Sequence, residues 1–254
     1  MLSIIGIAPH GTLVIKELKH KDYSKSIQTN IGFQQLRYMF DKKNVDHIVI
    51  IDPHAPIVKN KISVVMSNTM EGKLSKLLNI KNDLQISSSI FQIIDHENKN
   101  QITENIFNLQ WGSLVPLHFI HNQQTCSLIT IDRNIRKDNI LDFGKKLGLL
   151  LDSINKKIGI ILSCDFAHTH SKTNINFPFS EKAKIFDDHV VELIKKQNIE
   201  QFVNIDNEII KHAGTDATAQ MLVLCGILKN RKMHQQFLTY EVPTYFGMIT
   251  SYFL

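Results

Sequence analysis

Apolar positions along this chain follow two periods. Short continuous runs of β-branched residues alternate with longer stretches in which apolar residues return every three or four positions. That alternation predicts a mainly parallel sheet with crossover helices. The first run, residues 2–8, predicts a strand that ends at Pro9-His10-Gly11. A helix is predicted over about 25–40, with Ile27, Ile31, Leu36 and Phe40 on one side. Residues 47–51, His-Ile-Val-Ile-Ile, read as a buried strand by their unbroken apolar character. It stops at Asp52-Pro53-His54-Ala55-Pro56, where proline cannot donate to a ladder.

Weaker strands are predicted at 62–66 and 91–94, and a helical pattern spans 101–108. The strand at 127–131 precedes a long helix over about 139–155. Residues 158–162 form a strongly apolar strand that opens into Ser163-Cys164-Asp165-Phe166-Ala167-His168. Helices follow at about 180–197 and 215–228, with Ser180 and Thr215 suited to cap them. Residues 237–240 and 245–254 read as strands. No repeat, linker or low-complexity stretch divides the chain. The fold class implied is a single α/β domain, residues 1–254, with a central, mainly parallel (mixed) sheet and helices on both faces.

Composition supports that reading. The 254 residues are 43% hydrophobic, enough for a sizeable core without disulfides. No apolar run reaches the 18 or so residues of a membrane span, and the N-terminus lacks a basic leader, so the expected location is the cytoplasm. Cys126, Cys164 and Cys225 are odd in number and far apart, which argues for reduced thiols. The formal charge of +5 does not point to nucleic acid, because the lysines are scattered and no basic run is interleaved with aromatics.

The candidate chemistry lies at strand ends. His10, His54 and His168 each follow a predicted buried strand, and in open α/β sheets ligands bind outside the carboxyl ends of the strands. Pro9, Pro53, Pro56, Pro116 and Pro243, five of the six prolines, flank these turns and stiffen them. Glu241, in Thr239-Tyr240-Glu241-Val242-Pro243, is a carboxylate in an apolar, aromatic stretch, where charge is costly unless it is paired or metal-bound. Two imidazoles and one carboxylate make the facial triad of non-haem Fe(II) oxygenases. His168 would then be free to move a proton, since histidine titrates near neutral pH.

Other roles stay open at this point. Any one of the twelve histidines could be an ordinary surface or core residue, which is how His20, His47, His96, His189, His212 and His234 are read. His118 and His121 follow Pro116-Leu117 and could touch the site. Glu241 could equally be a solvated strand-end carboxylate.

Five motifs in order carry a family resemblance: Ile7-Ala8-Pro9-His10-Gly11, Asp52-Pro53-His54-Ala55, Trp111-Gly112-Ser113-Leu114-Val115-Pro116-Leu117, Ser163 through His170, and Tyr240-Glu241-Val242-Pro243. Together with Asp216-Ala217-Thr218-Ala219-Gln220 they resemble the class III extradiol ring-cleavage dioxygenases, the LigB superfamily, in particular the catalytic β subunits of protocatechuate 4,5-dioxygenases. The resemblance implies His10, His54 and Glu241 as ligands of Fe(II), with zinc or another divalent metal as alternatives. It implies His168 as the acid–base residue, Asp165 as support for its loop and His170 as a neighbour.

The implied reaction inserts dioxygen into a catechol- or aminophenol-type ring. The implied partners are a small aromatic substrate and O2, with a homo-oligomer or a small α subunit left open. One departure stands out: many members carry a substrate-facing histidine in Asp-His-Gly, where this chain has Gln110-Trp111-Gly112. Tryptophan is neither acid nor base. Memo-like proteins, accessory members of the same superfamily that need not cleave rings, therefore stand as the alternative, with a zinc hydrolase behind them.

Overall fold

The structure is a computed structural model that describes residues 1–229 and 231–254. In chain order, β1 (Leu2–Ala8) is followed by three short 3-10 turns and α1 (Ile27–Lys42), then β2 (His47–Ile51). Next come β3 (Ile62–Val65), β4 (Thr69–Lys73), β5 (Leu77–Lys81), α2 (Leu84–Gln92), β6 (Lys99–Ile102), β7 (Ile106–Asn108) and α3 (Trp111–Ile120). β8 (Thr125–Ile131), α4 (Lys137–Ser153) and β9 (Ile158–Ser163) follow. The last elements are α5 (Lys182–Lys195), α6 (Asn207–Ala213), α7 (Thr218–Leu228), β10 (Gln235–Glu241) and β11 (Met248–Phe253).

Eight strands form one mixed sheet in the order β10-β11-β1-β9-β2-β8-β3-β6, and β5-β4-β7 form a smaller sheet. The four central strands β1, β9, β2 and β8 are parallel neighbours. Their unbroken apolar runs are explained by burial on both faces, since side chains alternate across the sheet. Val49 and Ile51 join the core under α2, α4, α5 and α7. Ile48 and Ile50 join the opposite core with α1, α3 and the small sheet. Each fully buried isoleucine of this kind contributes about 1.5–3 kcal/mol of transfer free energy. Among the described residues no helix is long and apolar enough to cross a membrane.

Three local expectations are corrected. Residues 91–94, expected as strand, hold the end of α2 and the turn that follows it instead. Ile86, Ile90 and Ile94 recur every four residues on its buried side, and Asp83 caps it by accepting from the Gln85 and Ile86 amides. Residues 101–108, expected as helix, hold the end of one strand and the whole of another: β6 extends the large sheet beside β3, and β7 completes the small one beside β4. Ile102 and Ile106, four apart, imitate helical spacing. The turn expected around Pro116 is part of α3, with the proline inside the helix.

Candidate metal centre

Strand adjacency builds the site. β9 lies between β1 and β2, so the turns after these three strands meet at one edge of the sheet. His10 follows β1, and its backbone N–H donates to Asp165 Oδ1 at 3.0 Å. His54 follows β2, and its N–H donates to Asp52 Oδ1 at 2.7 Å, while the Ser113 hydroxyl donates to Asp52 Oδ2. Gly112 permits this approach, because a Cβ there would stand 2.1 Å from Asp52 Oδ1. Asp165 and His168 follow β9.

A fourth turn, after α6, completes the site. α6 ends at Gly214 in the left-handed conformation, φ 64°, which glycine adopts without steric cost. Thr215 then donates its hydroxyl to Asp165 O at 3.1 Å and accepts from the Ala217 amide. These bonds carry Asp216 onto the histidines. Its Oδ1 accepts from the Asp165 amide at 2.9 Å.

His10 Nε2 and His54 Nε2 lie 2.9 Å apart. Asp216 Oδ2 lies 3.1 Å from the first and 3.3 Å from the second. Ligand atoms bonded to one ion at about 2.0–2.2 Å stand about 3 Å from each other in neighbouring positions, so the three atoms fit a divalent metal. Two imidazoles and a carboxylate, the donor set expected at this edge, are present. His168 donates from Nδ1 to Phe166 O at 2.8 Å, which turns Nε2 inward to 3.9 Å from Asp216 Oδ2. It stands beside the cluster, farther from Asp216 Oδ2 than either His10 or His54.

The electrostatics suit a cation. Burial works to lower the basicity of His10, but the charges of Asp165 and Asp216 outweigh it and raise it to about 9. Burial likewise works against ionised Asp216, yet the charge and hydrogen bond of His10, with that of His54, hold it well below the usual carboxylate range. Asp165 moves the other way: burial, and then Asp216's charge set against His10, push its carboxyl up.

The cluster opens into a cleft of about 540 Å³. Phe177 and Tyr245 stack at 5.5 Å along one side, and the His168 ring lies 5.7 Å from that of Phe246. Trp111, at the start of α3, faces His54 with ring centroids 4.7 Å apart and keeps 46% of its surface exposed.

Glu241 is not part of the cluster. It sits at the end of β10, and its Oε1 accepts from the Thr29 amide at 2.7 Å, in the first turn of α1. The carboxylate in an apolar stretch does have a partner, but the partner is a helix N-terminus, where free amides favour negative charge. Asp216 is the carboxylate that stands beside His10 and His54. The sequence signal for it was faint: a glycine, a threonine and an aspartate just before a helix.

His170 is turned away from the cluster, with Nε2 2.8 Å from Asp187 Oδ2. Asp187 also accepts from Tyr240 OH and the Ala167 amide, so the pair fixes the His168 loop from behind. His118 packs against Phe119 at 5.1 Å and does not line the cleft. His20 does line it, as do Phe177 and Tyr245; their turns carry no periodic pattern that would mark them.

Residues 5–250 match the family model LigB, "Catalytic LigB subunit of aromatic ring-opening dioxygenase". A curated relative, "Protein CA_C1420" of Clostridium acetobutylicum, is 21% identical over 252 residues, covering 92% of this chain and 54% of the relative. The chain thus spans about half the length of that protein. The "uncharacterized protein JW3007" of Escherichia coli K12, a crystal structure, superposes with a TM-score of 0.68 at 13% identity, covering 98% of this chain and 99% of that one. This likeness concerns the fold.

Proposed function

From a chain that belongs to the LigB family of aromatic ring-opening dioxygenase catalytic subunits, we propose an Fe(II)-dependent extradiol dioxygenase acting on a small catechol- or aminophenol-type ring. The observation that carries this reading is the approach of His10 Nε2, His54 Nε2 and Asp216 Oδ2 to within 2.9–3.3 Å of one another beside an aromatic cleft. When bound, Fe(II) would supply Lewis-acid and redox chemistry for activating the ring and dioxygen.

The chain's own residues do the rest. His10, His54 and Asp216 would hold the ion at the floor of the cleft. His168 accepts a proton at Nε2 from the ring hydroxyl, its Nδ1 being committed to Phe166 O. Phe177, Tyr245 and Phe246 offer flat apolar surface that orients a ring and excludes water. Both oxygen atoms of O2 enter the one ring-opened product.

A Memo-like accessory role is the second reading. Trp111 favours it, because an indole at the cleft rim can donate a hydrogen bond but cannot act as an acid or base towards a substrate oxygen. Anaerobic reconstitution with Fe(II), followed by oxygen uptake with catechols and 2-aminophenols, separates the two. The dioxygenase reading expects one O2 consumed per ring opened. Stoichiometric iron with no uptake across the panel would favour the accessory role.

A further inference from the structure

We propose that Ser163 is a positioning residue that keeps the His10 proton on Nδ1, so that Nε2 presents its lone pair to His54 and Asp216. The metal consequence of this proposal rests on the centre described above; the tautomer itself does not.

Helix α3 carries a defect at Pro116. Pro116 lies inside α3 and has no N–H for the carbonyl four residues earlier, that of Gly112. That carbonyl instead accepts from the Ser163 hydroxyl at 2.6 Å. A carbonyl cannot donate, so the single hydroxyl hydrogen of Ser163 is committed to Gly112. Ser163 Oγ also lies 2.9 Å from His10 Nδ1. With its hydrogen already used, the oxygen can only accept there, and Nδ1 must carry the proton. Ser163 is fully buried, which removes water as a competing partner.

This contact has work to do. On the other side of the ring, His10 Nε2 lies 3.1 Å from Asp216 Oδ2 and 3.3 Å from Asp165 Oδ2. Both carboxylates attract a proton to Nε2, the nitrogen a metal needs bare. A metal-binding histidine commonly donates its other N–H to a fixed acceptor, which sets its tautomer and orientation. Here the acceptor is a serine whose own direction is set by the proline of another element.

The test begins with the metal-free wild-type protein, labelled with 15N histidine and followed to alkaline pH until the His10 ring is neutral. The expected spectrum places the His10 proton on Nδ1. Ser163→Ala should shift it towards Nε2 and weaken Zn(II) binding by about 10–100-fold, the usual effect of losing such a support. Ser163→Thr, which keeps the hydroxyl, should restore both. A proton on Nε2 in the wild type would overturn the proposal without any variant having to fold. Unchanged tautomer in folded Ser163→Ala would overturn it too. If wild-type protein shows the Nδ1 proton but binds no divalent ion, the metal centre fails and the tautomer assignment stands.

Discussion

His10 Nε2 stands 2.9 Å from His54 Nε2, a separation that two ring nitrogens reach only around a shared proton or a shared ion. In the metal-free protein the proton belongs to His10, raised to about 9 by Asp165 and Asp216 against the effect of burial. Metal and proton compete for one lone pair, and the protonated form dominates below about 9. Apparent affinity for a divalent metal should therefore rise by nearly tenfold per pH unit between 6.5 and about 9. Calorimetry in buffers of different ionisation enthalpy should show one proton released. An affinity flat across that window would contradict this assignment of His10.

His168 separates catalysis from metal holding. Its Nε2 stands 3.9 Å from Asp216 Oδ2, near the cluster but outside it. His168→Gln should retain the metal at wild-type stoichiometry while turnover falls by about 10²–10⁴-fold. Metal content and single-turnover kinetics on the same preparation check it. Loss of the metal together with activity would make His168 a ligand.

His47 makes a stability prediction far from the cleft. It is fully buried at the start of β2, with its ring nitrogens 2.7 Å from Thr125 Oγ1 and 3.0 Å from Ser127 Oγ. Burial lowers it to about 4, with Asp83 opposing. The unfolded chain takes up this proton near 6.5, so the stabilisation is complete above 6.5 and is lost as pH falls towards about 4. The loss amounts to about 3 kcal/mol at most. Urea unfolding across this window should show the slope, and His47→Gln should flatten it. An equal slope in both proteins would place the acid sensitivity elsewhere.

Much of this architecture is legible along the chain, for identifiable reasons. The runs at 47–51 and 158–162 are apolar at every position because both faces of those strands are covered, and that pattern survives any context. His10, His54 and His168 are legible because each closes such a run. Glu241 and Asp216 are not distinguishable in this way. Both are single carboxylates near apolar segments, and the choice depends on whether β10 delivers its end to the cluster or to α1. That is decided by the antiparallel pairing of β10 with β11 at the sheet edge, beyond β1. Residues 101–108 do not announce themselves as strands, because two short strands in different sheets imitate one amphipathic turn.

The sharpest measurement is a titration of the metal-free protein with a divalent ion in two variants, Asp216→Asn and Glu241→Gln. Asp216 Oδ2 contacts both ring nitrogens, whereas Glu241 accepts from the Thr29 amide on α1. The account predicts that Asp216→Asn loses tight binding and that Glu241→Gln keeps wild-type affinity, with only about 1 kcal/mol lost from the helix start. Retained binding in Asp216→Asn, with loss in Glu241→Gln, would contradict the centre proposed here.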